Sequence, residues 1–108
     1  MLLDGGYPII SSETMKLARQ NYTSICSADR ALGFLYVTER YPQTGKLFKT
    51  GSYGHCGHTG QCLFVDPDSG FFSIVLSDMT RTLSNEYGRV MAARARIHNA
   101  IKEDIDNE

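Results

Sequence analysis

Several features that would indicate a particular class of protein are scarce or absent in this sequence. It has no block of basic residues, and 11 Lys and Arg against 12 Asp and Glu give a formal net charge of -1. Because such a balance does not attract a polyanion, we expect no nucleic-acid partner. No apolar run approaches the roughly 20 residues that a membrane-spanning helix needs. We therefore expect no membrane span.

Cysteine is scarce as well. Cys26, Cys56 and Cys62 form an odd number at uneven spacing. This pattern disfavours a disulfide framework and favours a reducing compartment. Residues 1–6 also lack the basic segment with which a secretory signal peptide begins. Together these absences predict a cytoplasmic protein.

What is present indicates one globular domain. The 108 residues are 42% hydrophobic and 21% charged, which is typical of a folded chain. This length suits a single domain over residues 1–108, with a thin core. The sequence contains no internal repeat and no low-complexity segment.

Two helices are predicted. Ser11 can cap a short helix whose first turn holds Glu13. Ser84 is the predicted cap of a C-terminal helix of about five turns. Its arginines are expected on a solvated face, and its apolar residues recur at helical spacing and are expected in the core. The arginines are Arg89, Arg94 and Arg96, and the apolar residues are Val90, Ala93, Ile97, Ala100, Ile101 and Ile105.

Three strands are predicted, over residues 31–38, 61–65 and 71–77. Residues 66–70 combine Pro and Gly, so they predict the turn of a hairpin between the last two strands. The run 71–76 is almost continuously apolar, which favours burial on both faces. The predicted fold is α+β: an antiparallel sheet of about three strands, the long helix on one face and the short helix nearby.

The densest group of chemically useful residues is the segment 53–61, Tyr-Gly-His-Cys-Gly-His-Thr-Gly-Gln. Its glycines let the backbone approach a ligand closely, and its histidines offer proton-transfer groups near neutral pH. We therefore expect the chemistry of the chain here. The alternative is that His55 and His58 are ordinary polar residues of a glycine-rich strand.

A zinc site built from His55, Cys56, His58 and Cys62 is a further alternative. Structural zinc sites usually present two short ligand pairs separated by a longer loop, and that spacing is absent here. Alternate residues of a strand also point to opposite faces. We therefore expect no metal and no other cofactor.

Five segments follow the order found in one known family. They are the helix end at 2–6, the helix start at 11–14, the Gly-His segment at 53–60, Val-Asp-Pro at 65–67 and the strand end at 76–78. With these segments and a closing helix, the chain resembles the C-terminal part of the serine beta-lactamase-like hydrolases. That group includes penicillin-binding proteins, class C beta-lactamases and related esterases. The resemblance covers almost the whole chain.

The resemblance implies roles for part of the Gly-His segment. His55-Cys56-Gly57 would lie opposite the nucleophile, where the imidazole would orient the carboxylate or carbonyl side of an acyl substrate. The backbone N–H of His58 would be an oxyanion-hole donor. Tyr53 could line this site or simply pack. The sequence Lys-Thr-Gly at 49–51 lies six residues too early for this role, so we interpret it as an exposed turn.

The nucleophile of the family is missing. It is the serine of a Ser-x-x-Lys sequence, and no serine here has a lysine three positions later; Ser12 and Lys16 are one residue too far apart. The family's Tyr-x-Asn or Ser-x-Asn is absent too. A nucleophile needs a base within reach, so the chain is expected to be inactive alone.

Two functional hypotheses follow. The first is a segment of a hydrolase acting on esters, amides or lactams, which supplies the substrate-lining strand. The second is a non-catalytic module of the same fold that forms oligomers or binds a small molecule near His55. In both, an exposed sheet edge and apolar surface predict a homodimer, or pairing with the missing N-terminal part of a hydrolase.

Overall fold

The computed structural model describes residues 1–78 and 87–108 of the chain. They form an α+β fold with a four-stranded antiparallel sheet, a short N-terminal helix and a long C-terminal helix. The elements are α1 Ser12–Ala18, β1 Leu35–Tyr36, a 3₁₀ helix Pro42–Thr44, β2 Tyr53–Cys56, β3 Cys62–Asp66, β4 Phe71–Val75 and α2 Tyr87–Asp106. No helix in the described part of the chain is long and apolar enough to cross a membrane.

The strands lie side by side in chain order, β1-β2-β3-β4. The sheet therefore has one strand more than the sequence predicted, because Tyr53–Cys56 pairs with both β1 and β3. The predicted strand 31–38 shrinks to Leu35–Tyr36. Gly33 has a φ of 76°, which bends the backbone before the extended stretch can begin.

The predicted hairpin between the last two strands is confirmed. β3 pairs with β4 from Cys62↔Val75 to Asp66↔Phe71. The buried Asp66 carboxylate organises the turn by accepting from the N–H groups of Asp68 and Ser69 and from the Ser69 hydroxyl. A short acidic side chain commonly closes a turn in this way.

The expectation that β4 is buried on both faces is wrong. Phe72 and Ile74 are 52% and 56% exposed, whereas Ser73 between them is buried. Successive side chains of a strand point to opposite faces, so one face of β4 lies against the core and the other is largely open. The apolar run therefore marks an open apolar face of the sheet.

The sheet carries a core on each face. Leu35, Val37, Phe48, Cys62 and Phe64 form the cluster on one side. Met15 of α1, Tyr53 and Val65 form the other. Since Tyr53 and Val65 are register partners, they share the face opposite Phe64.

Helix α1 begins as predicted. The Ser11 side chain accepts from the Thr14 N–H at 3.1 Å, and Glu13 lies in the first turn. Of its apolar side chains, Met15 is 3% exposed whereas Leu17 is 55% exposed. Met15 therefore anchors this helix to the sheet.

Helix α2 packs differently from the prediction. Ile97 and Ile105 are 44% and 45% exposed, and the residues buried on this helix are Arg94 and His98. The predicted apolar contact face is therefore wrong, since a polar pair four residues apart faces the protein instead. The predicted start at Ser84 lies outside the described residues.

His98 connects α2 to the sheet through polar contacts. Its Nδ1 lies 3.2 Å from the Gln43 carbonyl oxygen and its Nε2 lies 3.2 Å from the Ser73 hydroxyl. Burial lowers the pKa of His98, which favours the neutral ring. A neutral ring satisfies both contacts when Nδ1 donates to the carbonyl and Nε2 accepts from the hydroxyl.

Candidate functional site

Strand β2 carries the candidate residues and is only partly covered at its edge. β1 pairs with Tyr53 and Gly54 and reaches no further along β2. Beyond Gly54, the side of β2 that faces away from β3 therefore has no neighbouring strand among the described residues. His55, Cys56 and Gly57 lie beside this open edge.

The side chains of β2 divide between the two faces of the sheet. His55 pairs with Leu63 and shares the face of Tyr53, whereas Cys56 pairs with Cys62 and shares the face of Phe64. His55 is exposed, and its Nδ1 lies 2.9 Å from the Cys56 carbonyl oxygen. This contact holds the imidazole against the open edge.

His58 lies in the turn that joins β2 to β3. The Gly57 N–H donates to the Gln61 carbonyl at 2.7 Å, and the Gly60 N–H donates to the Gly57 carbonyl at 3.2 Å. His58 is exposed at this turn. Its backbone N–H has no acceptor among the described residues, so it can still donate to a ligand.

Tyr53 packs in the core. It is fully buried, its hydroxyl donates to the Leu2 carbonyl at 2.7 Å, and its ring meets Phe34 edge-on at 5.0 Å. A side chain enclosed in this way does not line an open cleft. Of the two roles considered for Tyr53, the structure places it in the packing role.

Arg94 of α2 holds the turn at residues 57–61 through hydrogen bonds to a backbone carbonyl. This side chain is 2% exposed; its Nε donates to the Gly60 carbonyl at 3.0 Å, and Nη2 donates to the same oxygen. Nη1 donates to Gln43 Oε1 at 2.6 Å. The predicted solvated face is therefore wrong for Arg94, whereas Arg89 and Arg96 are exposed.

Two polar side chains extend this contact to Cys56. Gln43 Nε2 donates to the Tyr41 hydroxyl oxygen at 2.7 Å, and that oxygen lies 3.6 Å from Cys56 Sγ. Cys56 Sγ also lies 3.8 Å from Gln43 Oε1. Arg94, Gln43 and Tyr41 thus form a continuous polar chain that ends at the Cys56 sulfur.

This environment favours the thiolate of Cys56. Hydrogen bonding from Cys62, then from the Tyr41 hydroxyl, and the charge of Arg94 outweigh burial and lower the pKa of Cys56 to about 6. The same interaction with Cys56, together with burial, raises the pKa of Cys62. Burial raises the pKa of Tyr41. Cys56 is therefore the sulfur that ionises first.

The four residues considered for zinc do not converge. Cys56 and Cys62 share one face of the hairpin, His55 lies on the opposite face and His58 lies in the turn. Within residues 1–78 and 87–108, no group of three or more His, Cys, Asp or Glu side chains is arranged to hold a metal ion. The third cysteine, Cys26, is exposed in a loop.

The Lys-Thr-Gly sequence lies away from the open edge. Lys49 and Thr50 are exposed in the turn that precedes β2, as predicted. The Lys49 ammonium lies 3.8 Å from the Asp66 carboxylate, and Gly51 has a φ of 99°. Lys49 is exposed although Asp66 is buried, and a long contact to one solvated partner contributes little stability.

A cavity of about 400 Å³ lies next to the 3₁₀ helix, lined by Tyr41, Thr44, Phe48, Lys49 and neighbouring residues. His55 is not part of its lining, so this cavity is separate from the small-molecule cleft that the sequence suggested near His55.

Comparison of the chain with protein-family models, with curated proteins and with solved structures found no match.

Proposed function

We propose that the chain is a segment of a serine beta-lactamase-like hydrolase that supplies the substrate-lining strand but no nucleophile. After α1, β1 and the 3₁₀ helix, the chain has a Gly-His strand, a strand ending at Asp66, a further strand and a long helix, which is the order that the sequence resemblance implies for these last four elements. This agreement supports the proposal, and the reaction would be acyl transfer on an ester, amide or lactam.

The observation that carries the proposal is the open edge of β2. The Gly57 N–H bonds to the Gln61 carbonyl, so the next pair along the hairpin, Cys56↔Cys62, is not hydrogen-bonded. The N–H and C=O of Cys56 therefore point away from β3, toward the side that has no neighbouring strand among the described residues, and the C=O also accepts from His55 Nδ1. An extended acyl substrate can hydrogen-bond along such an edge as an added strand does.

Two groups beside this edge have the chemistry that the substrate needs. His55 Nδ1 donates to the Cys56 carbonyl, so the exposed imidazole would donate to a carboxylate or carbonyl of the substrate through Nε2, in the imidazolium form in which both ring nitrogens carry a hydrogen. The His58 N–H can donate to the oxygen of a tetrahedral intermediate. Arg94 supports this arrangement from the buried side because it holds the Gly60 carbonyl of the same turn.

The nucleophile would come from a different stretch of polypeptide. No serine of the chain is followed by lysine at the third position. Without a nucleophile and its base, the strand can bind and orient a substrate but cannot be acylated through this mechanism. The segment is therefore expected to bind without turnover.

NMR spectra and the intact mass of the isotope-labelled chain with benzylpenicillin test the two parts of the proposal. The spectra test binding along β2, and the mass tests the absence of acylation. We expect amide chemical-shift changes centred on His55, Cys56, Gly57 and His58, with an unchanged intact mass. The mass should also stay unchanged with a fluorophosphonate, which modifies activated serines. Shifts centred elsewhere, or no shifts at millimolar ligand, would contradict the substrate-lining role. A serine adduct would show that the chain holds its own nucleophile.

The open apolar face supports a second candidate, an oligomeric interaction module. Phe72 and Ile74 are more than half exposed, and with Leu2, Leu3 and Leu63 they border a shallow cavity of about 370 Å³. Contiguous apolar surface of this kind usually meets a partner. For the chain alone we propose a second copy as that partner; in a complete hydrolase, the N-terminal part of the fold would replace it.

Analytical ultracentrifugation of matched variants tests this candidate. The chain is expected to sediment as a dimer, and Ile74→Lys is expected to sediment as a monomer because a charge would be buried in the interface. Leu32→Lys is the control, since Leu32 is 58% exposed and lies outside the apolar face. A wild-type monomer at all concentrations would exclude the dimer.

A further inference from the structure

Cys56 and Cys62 lie directly opposite each other in the β2–β3 hairpin. They occupy a pair that is not hydrogen-bonded, as the neighbouring Gly57–Gln61 contact requires. In such pairs the Cα atoms are about 4.5 Å apart, which lies within the range of about 4.4–6.8 Å that a disulfide spans. Both side chains point to the same face, so their sulfur atoms can meet without a change of register.

The two sulfurs differ in accessibility and surroundings. Cys56 is partly exposed, whereas Cys62 is 3% exposed. The Tyr41 hydroxyl, 3.6 Å from Cys56 Sγ, can donate to a thiolate there. The nucleophile and the resolving thiol of a redox pair usually differ in this way: one is accessible and ionised, and the other is protected and protonated.

Arg94 contributes a positive charge to the same site. Its hydrogen bonds go to the neutral oxygens of Gly60 and Gln43. Among the described residues, no carboxylate lies within 4.0 Å of its guanidinium. A nearby positive charge favours the ionised form of an acidic group. Cys56 Sγ lies at the end of the polar chain through Gln43 and Tyr41.

We propose that Cys56 and Cys62 form a redox-reactive pair in which Cys56 reduces a hydroperoxide and Cys62 then closes a cross-strand disulfide. This activity goes beyond the proposed hydrolase role and does not depend on it. It uses side chains on the face of the sheet opposite His55.

The chemistry balances without a further cofactor. The Cys56 thiolate attacks one oxygen of hydrogen peroxide; an S–O bond forms, the O–O bond breaks, and the released hydroxide takes up a proton to become water. The Cys62 sulfur then attacks the Cys56 sulfur; an S–S bond forms, the S–OH bond breaks, and the hydroxyl leaves with the thiol proton as water. Two thiols lose two electrons in total, and one peroxide becomes two waters.

Peptide mapping of the wild-type protein tests the pairing without any substitution. The reduced chain is treated with one equivalent of hydrogen peroxide, alkylated with iodoacetamide and digested with trypsin. Peptide 50–81 contains both Cys56 and Cys62, and peptide 20–30 contains Cys26. We expect peptide 50–81 to be unalkylated and lighter by two hydrogens (about 2 Da), as an internal disulfide requires. Cys26 should be alkylated, and dithiothreitol should restore three reactive thiols.

Three variants separate the roles of the sulfurs. Cys62→Ser should stop at a Cys56 sulfenic acid that dimedone traps, and Cys26→Ser should form the disulfide as wild type does. In the Cys62→Ser background, Tyr41→Phe should slow formation of the dimedone adduct about threefold, because the thiolate that attacks the peroxide loses a hydrogen-bond donor. Two alkylated cysteines in peptide 50–81, or oxidation of Cys26 at the rate of Cys56, would overturn the proposal.

Discussion

Replacing Gly54 with alanine is expected to destabilise the fold by about 4 kcal/mol or more, because a side chain at this position has no room. An added Cβ would lie 2.0 Å from the Leu63 carbonyl oxygen and 2.8 Å from the Phe64 Cα. Both are backbone atoms of β3, so the clash can be relieved only by separating β2 from β3. Chemical denaturation followed by circular dichroism measures the change.

Gly88→Ala is the matched control for this substitution. A Cβ at Gly88 meets nothing within 4 Å among the described residues, and the position lies in helix α2. Alanine favours a helix over glycine by up to about 1 kcal/mol, so this variant should be as stable as wild type or slightly more stable. Equal unfolding midpoints for Gly54→Ala and Gly88→Ala would show that β2 and β3 are not packed as described.

Removing the Arg94 side chain is expected to cost about 3–4 kcal/mol of stability, since it removes at once several buried hydrogen bonds that a charged group donates. The Gly60 carbonyl and the Gln43 amide would lose their donor, and a cavity would remain under the turn. Arg94→Lys should restore little, because one ammonium cannot match the planar fork of a guanidinium. Thermal and urea unfolding give the magnitudes.

Arg96→Ala tests whether this cost belongs to position 94. Arg96 lies two residues further along α2 and is exposed, so its removal should change stability by at most about 0.5 kcal/mol. Hydrogen exchange gives a local readout: the Gly57 and Gly60 amides should exchange faster in Arg94→Ala and at the wild-type rate in Arg96→Ala. Similar behaviour of the two variants would contradict the role given to Arg94.

Local signals predicted part of the fold well. The Ser11 cap and the Asp-Pro-Asp-Ser-Gly turn at 66–70 depend on neighbouring residues, so the sequence alone was sufficient for both. Strand β2 was missed in the strand count because a short Tyr-Gly-His-Cys stretch has little intrinsic strand preference. Pairing with β1 and β3 makes it a strand, and pairing is a property of the whole sheet.

The polar contact face of α2 could not be obtained from apolar periodicity. The isoleucines of this helix repeat at helical spacing, yet Arg94 and His98 are the buried residues. Their burial depends on acceptors far away in the sequence, the Gly60 carbonyl and the Gln43 backbone and side chain. The interval of four residues between Arg94 and His98 was a signal that they share a face.

The candidate site was predicted only in part, because the placement of its residues also depends on contacts between distant segments of the chain. Exposure of His55 and His58 agrees with a location beside a ligand, and Tyr53 is enclosed in the core. The pairing of Cys56 with Cys62 follows from the register of the hairpin. Register depends on how the turn at 57–61 closes, and the sequence did not settle that.

The most direct test of the account compares the affinity of benzylpenicillin for His55→Ala and His58→Ala. Both side chains are exposed within one segment, so effects on folding should be small and equal. If β2 lines a substrate site, His55→Ala should weaken binding about fivefold, the loss of one hydrogen bond worth about 1 kcal/mol. His58→Ala should bind as wild type does, because its proposed donor is the backbone N–H. Equal affinities in both variants, or wild-type affinity in His55→Ala, would contradict the substrate-lining role of this strand.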